Sequence, residues 1–193
     1  MTEWRASTEC DDNDVETCGG LLRESTLRVT AFTVQRKSMS IAFRHSAGFG
    51  KRIEYWVVGL MVKSGLDVYL PLVDDDAVDA VIKRPDGLFI EVQIKARSKT
   101  VKLGDAGLFA AITHECRPNY WFVFYAERLD TLWLMSSDEF IAESVQNKNG
   151  INAGKRSLWF NGTKMNKDAG RREEYIKDRY QKYVVEDFSR LLK

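Results

Sequence analysis

The sequence predicts an α/β fold, a mixed β-sheet flanked by helices. Three observations carry that expectation. A helical period precedes a tight succession of short strands. The run Tyr120 to Ala126 (YWFVFYA) is almost wholly apolar, as a central strand covered on both faces would be. Alternating segments and helical segments then interleave along the rest of the chain, giving a core in the order α-β-β-β-α-β.

The elements follow in order. Phe49 to Ser64 repeats Ile53, Val57, Leu60 and Met61 on one helical stripe, and Gly65 ends it. Leu66 to Leu72 reads as a strand, and Asp74-Asp75-Asp76 as a solvated turn. Val78 to Lys83 (VDAVIK) and Leu88 to Ala96 (LFIEVQIKA) are strands joined by Arg84-Pro-Asp-Gly87, a β-turn sequence. A short helix is expected from Asp105 to about Thr113. Leu132 to Met135 adds a strand, and Ser137 reads as the N-cap of the helix SDEFIAESV. Lys148 to Lys167 is polar and basic, with Asn-Gly turns, and Glu173 to Leu192 is expected to be a terminal helix. The domain reading is therefore an extension over 1–38, disordered or not translated at all, with Met39 a second possible start. A core follows over 39–145, and a basic helical extension packs on it over 146–193.

Composition bounds the function. Of 193 residues, 44% are hydrophobic and 30% charged, which is ordinary globular usage. The longest apolar run, Tyr55 to Val62, is far short of the roughly 20 residues that span a bilayer. The N-terminus is acidic and lacks a secretory pattern, and Cys10, Cys18 and Cys116 fit no metal or redox spacing. A cytoplasmic protein with free thiols is expected. The net charge of +1 hides opposed ends: residues 1–20 hold six acids and one base, residues 148–193 twelve bases and six acids. A near-neutral total therefore leaves room for a basic, nucleic-acid-facing surface.

The chemistry concentrates in Ile90-Glu-Val-Gln-Ile-Lys-Ala. Alternation places Glu91, Gln93 and Lys95 on one strand face, each roughly 7 Å from the next. The partner strand sets Asp79 among Val78, Ala80, Val81 and Ile82. A carboxylate among apolar neighbours needs a partner, and Lys95 or a metal ion would serve. Asp and Glu oxygens with a Gln carbonyl suit a hard cation such as Mg²⁺, or Mn²⁺. An ammonium beside that ion suits metal-assisted phosphodiester hydrolysis. No Gly-rich nucleotide loop or Ser/Cys–His pair points to another hydrolase.

From Phe49 to Ala126 these residues resemble the core of the PD-(D/E)XK nuclease superfamily. The resemblance implies that Asp79 is the family's Asp, Lys95 its Lys, and Gln93 a Gln-x-Lys variant of the acid position, which some members use. It implies that Glu54, on the first helix, reaches the metal. Val78 replaces the family's Pro. In an alternative register Glu91 is the acid and Gln93 stands in for the Lys. Either way the expected metal ligands are Asp79, Glu91, Gln93 and Glu54. The implied activity is Mg²⁺-dependent cutting of DNA by a homodimer, with restriction, repair and homing roles unresolved. The alternative is a catalytically inactive nuclease-fold module for DNA binding or assembly. Arg97, Lys99 and Lys102, directly after the active strand, and Lys155 and Arg156 in the basic region are candidate DNA contacts. His45 and His114 lack ligand spacing and read as structural.

Overall fold

The computed structural model describes residues 46–193 apart from Asp74 and Asp75. The expected 1–38 extension, its strand near 27–34, His45, Cys10, Cys18 and most of the acidic turn lie outside the described residues.

Helix α1 (Ser46–Lys63) buries Phe49, Val57 and Met61. Gly65 ends it at φ 84°, a conformation glycine adopts without a Cβ penalty. Leu66 N–H then donates to Met61 C=O and Gly65 N–H to Val62 C=O, the paired bonds of a Schellman cap. Strands β1 (Asp67–Tyr69), β2 (Ala80–Lys83) and β3 (Phe89–Arg97) form an antiparallel run. The β2–β3 turn is the predicted one. Gly87 N–H donates to Arg84 C=O at 3.0 Å, with Gly87 at φ 87°. Strand β5 (Tyr120–Ala126) lies parallel to β3 and antiparallel to β6 (Thr131–Ser136). The five-stranded sheet β1-β2-β3-β5-β6 is therefore mixed, as expected.

Its two faces differ in kind. Val57 and Met61 of α1 meet Ile90, Val92, Ile94, Val123 and Leu134 in an aliphatic layer. The other face is aromatic, with Tyr120, Phe122, Phe124, Trp133, Phe140, Phe160 and Tyr180 packed together. The period of two decides which side each residue joins.

Three expectations are corrected. Residues 105–113 are not a helix: Leu108–Ile112 is strand β4, paired with β8 (Arg156–Trp159). Phe109 and Ile112 are buried three residues apart, which imitates a helical period. The actual cause is a bulge, with Ala111 at φ 58° switching the strand's faces. The order α-β-β-β-α-β thus loses its middle helix.

The region 146–193 is not a helical extension either. It holds β7 (Val145–Gln146), β8, and the hairpin β9 (Asn161–Asn166)–β10 (Arg171–Ile176), then 3-10 turns at Asp178–Tyr183 and Ser189–Leu192. Tyr180 and Tyr183 are buried three residues apart, which imitates a helical period because a 3-10 turn also repeats near three residues. Between the turns the tail is extended: Val184 bridges Trp133, and Val185 N–H donates to Leu132 C=O. The tail passes from aromatic layer (Tyr180, Tyr183) to aliphatic layer (Phe188, Leu191) and covers the edge of β6.

Finally, the N-cap of α2 (Ser137–Glu143) is Ser136, one residue early. Ser136 Oγ accepts from Glu139 N–H while Glu139 Oε2 accepts from Ser136 N–H.

Candidate functional site

Strand β3 is longer than its partner β2. Pairing with β2 stops at Ala80 opposite Val92, whereas pairing with β5 continues to Arg97. Beyond Val92 the sheet therefore opens on the β2 side, and Asp79 stands at the fork. Its N–H donates to Val92 C=O, and its Oδ2 accepts from Ile94 N–H at 2.6 Å. The approach to Asp79 is fixed from behind. Ala77 adopts φ 57°, with its C=O receiving the Tyr120 hydroxyl at 2.7 Å. Arg117 holds Asp76 C=O from the same side.

Glu54 comes from α1 and lines the same pocket as Asp79, with Lys51, Tyr55, Val58 and Pro71 also on its wall. The pocket is small, about 50 Å³. Lys51, one helical turn before Glu54, donates to its carboxylate. That bond, with the charges of Glu54 and Asp79, raises the Lys51 pKa above its ordinary value. Lys51 is thus a member of the cluster that the sequence reading missed. Its signal was present as an i, i+3 Lys–Glu pair on the helix carrying Glu54.

Gln93 follows Asp79 across the fork by register and sits opposite Phe122, buried at 5% exposure on the aromatic face. Lys95 lies two residues on, opposite Phe124 and half-buried, past the end of β2. Among the described residues it makes no ion pair. Neither Gln93 nor Lys95 lines the Glu54–Asp79 pocket. The partner expected for Asp79 among the cations is accordingly not Lys95. The Ile94 amide and the field of Lys51 take that place. Glu91 is separate: its Oε2 receives Arg117 Nη2 at 2.5 Å, and that guanidinium lies 4.5 Å from the Tyr120 ring centre. Its carboxylate acts as a strut that holds Arg117 against the 76–79 segment.

The donors can be tested against a hard divalent ion. Mg²⁺ keeps several waters and is held by one or two carboxylates. Glu54 and Asp79 on one wall meet that requirement. Among the described residues no three His, Cys, Asp or Glu side chains group as a metal cage.

The basic candidates divide. Lys99 and Lys102 have exposed side chains while their carbonyls are held by Arg128, so the loop is fixed and its amines face outward. Arg97 Nε donates to Asp105 C=O. Lys155 Nζ donates to Asn152 Oδ1. Arg156 Nη1 is bound to Ile141 C=O and Ser144 Oγ, where it serves the C-terminal end of α2. Among the described residues no helix is long and apolar enough to cross a membrane.

The chain matches no protein-family profile and no curated protein by sequence. Among solved structures it is similar to that of a bacterial homing endonuclease, I-Ssp6803I. The two are 18% identical with a TM-score of 0.48, over 72% of this chain and 86% of that one.

Proposed function

We propose that this protein is a metal-dependent endonuclease that hydrolyses DNA phosphodiester bonds. One observation carries the reading: carboxylates from two separate elements, Glu54 on α1 and Asp79 at the head of β2, line one pocket beside the fork in the sheet. The sequence resemblance to the PD-(D/E)XK superfamily assigns the same two positions, together with Gln93 and Lys95.

In this reading Glu54 and Asp79 would hold Mg²⁺ or Mn²⁺ with water in the remaining positions, and Gln93, which does not line their pocket, is not used as a ligand. The ion, when bound, offsets charge on the scissile phosphate. The Ile94 amide orients the Asp79 carboxylate and Lys51 steadies Glu54. Water would attack phosphorus as the bond to the leaving sugar oxygen breaks, its proton passing to solvent, and Lys95 Nζ would donate a hydrogen bond that holds that water. Lys99 and Lys102 neutralise the flanking backbone. Two copies, each cutting one strand, form the working unit in the cytoplasm.

The test is nicking of supercoiled plasmid in Mg²⁺ and Mn²⁺. Cleavage is expected in the wild type and lost in Asp79→Asn, in Lys95→Ala and on chelation. DNA binding without nicking in either metal would overturn catalysis and leave a DNA-binding or assembly module. Sedimentation at working concentration checks the dimer.

A further inference from the structure

A second cavity, of about 350 Å³, lies away from the Glu54–Asp79 pocket, between the loop after β3 and the β9–β10 hairpin. Small-ligand sites start near this size, about 300 Å³. Its walls include Trp159, Arg172, Lys177, Thr163 and Asp105.

These walls are built. Glu174 is 5% exposed. Its Oε1 accepts from Gly104 N–H at 2.6 Å and Ala106 N–H at 3.2 Å, and its Oε2 pairs with Arg128. Arg128 also donates to the carbonyls of Lys99, Val101 and Lys102. Buried Asn161 donates to Gly104 C=O and accepts from Gly107 N–H. The loop is thereby clamped to the hairpin, and the cavity between them has a fixed shape.

The walls carry one acid, Asp105, against two cations and an indole. Trp159 is anchored by its Nε1 to Gly104 C=O at 2.8 Å, yet remains 45% exposed. Lys177 Nζ stands 5.3 Å from the indole centre and bonds Trp159 C=O. Arg172 makes no ion pair among the described residues. An exposed indole with two cations beside it matches a nucleotide, whose base stacks on an aromatic ring and whose phosphate meets the cations. Exposed Lys102, next in sequence to the lining Leu103, extends the positive track on one side. That continuity favours one unit of a strand over a free nucleotide.

We infer that this cavity binds a single unstacked nucleotide of a DNA strand, the base on Trp159 and its phosphate on Arg172 and Lys177. The inference rests on the part of the proposed function that makes DNA the partner, and it names where an unpaired part of that DNA is held.

Tryptophan fluorescence during titration with a short oligothymidylate, in chelator, tests it without cleavage. Saturable quenching is expected. It should be absent in Trp159→Phe, and affinity should fall roughly tenfold in Arg172→Ala, a change on an exposed hairpin position. Equal affinity and quenching in Trp159→Phe and Arg172→Ala would overturn the site. So would absence of oligothymidylate binding, or thymidine monophosphate binding as tightly as the oligomer, which would make it a free-nucleotide pocket. If the wild type is quenched as expected yet never nicks plasmid, the endonuclease reading fails while this one stands.

Discussion

Two polar clusters lie near β3, one at its fork with β2 and one on the loop that follows it, and they are built oppositely. Around Arg128, Glu174 and Asn161, hydrogen bonds and an ion pair join loop to hairpin, and the Glu174 side chain is nearly sealed from solvent. Around Glu54 and Asp79 the charged groups face a pocket, Lys51 is 57% exposed, and Lys95 makes no ion pair among the described residues. A satisfied, buried network fixes structure. Charges that line a pocket at a break in a sheet can also meet a ligand, which is what the proposed function asks of them. On the proposed function, the first cluster holds the molecule and the second acts on substrate.

This contrast can be broken by substitution. The largest effect belongs to the open cluster and to activity: Asp79→Asn or Lys95→Ala should lower plasmid nicking by about a thousandfold or more while the melting temperature stays within about 2 °C. A large fall in melting temperature would move Asp79 into the structural class. The closed cluster should behave inversely. Glu174→Ala removes the carboxylate that pairs with Arg128 and accepts from the Gly104 and Ala106 amides, and should cost about 3 kcal/mol, lowering Tm by roughly 6–12 °C. Calorimetry showing no loss would mean the clamp is not structural.

A third, smaller effect concerns pH. Burial pushes the His114 pKa down to about 4, with Arg117 and Arg156 adding repulsion. Its ring stacks on Tyr120, and its Nε2 meets Ser137 Oγ at 2.7 Å. The unfolded chain takes up the proton first, so the folded state should lose stability as pH falls from about 6.5 to about 4 and be unaffected above that window. His114→Gln should flatten the thermal stability profile there. The smallest effect is at the α2 cap: Ser136→Ala should cost about 1 kcal/mol, a shift of a few degrees in Tm, while Ser137→Ala should instead loosen His114 and Arg117.

Legibility in the sequence follows the same division. Elements set by local rules were readable: the Gly65 stop, the Arg84–Gly87 turn, and the apolar run of β5. Ser136 was readable too, since only Ser136-x-x-Glu139 completes a capping box, but its neighbour Ser137 competed for the role. Elements set by tertiary pairing were not. Strand β4 looks helical until its bulge at Ala111 is known, and β10 is a strand because β9 lies opposite it. At the site, Asp79 stands out in the sequence as a carboxylate among apolar neighbours, whereas Glu54 is suggested only by the family resemblance. The diversion of Glu91 to Arg117 could not be read there, because those residues meet only through the parallel pairing of β3 with β5.

The central claim is that Glu54 and Asp79 jointly hold a divalent ion. Electron paramagnetic resonance of Mn²⁺ added to the protein with bound DNA tests it most directly. A bound ion is expected in the wild type, released in Asp79→Asn and weakened in Glu54→Gln, with the Glu91→Gln variant unchanged. Mn²⁺ binding that is indifferent to Glu54 and Asp79, or none in the wild type, would contradict the account.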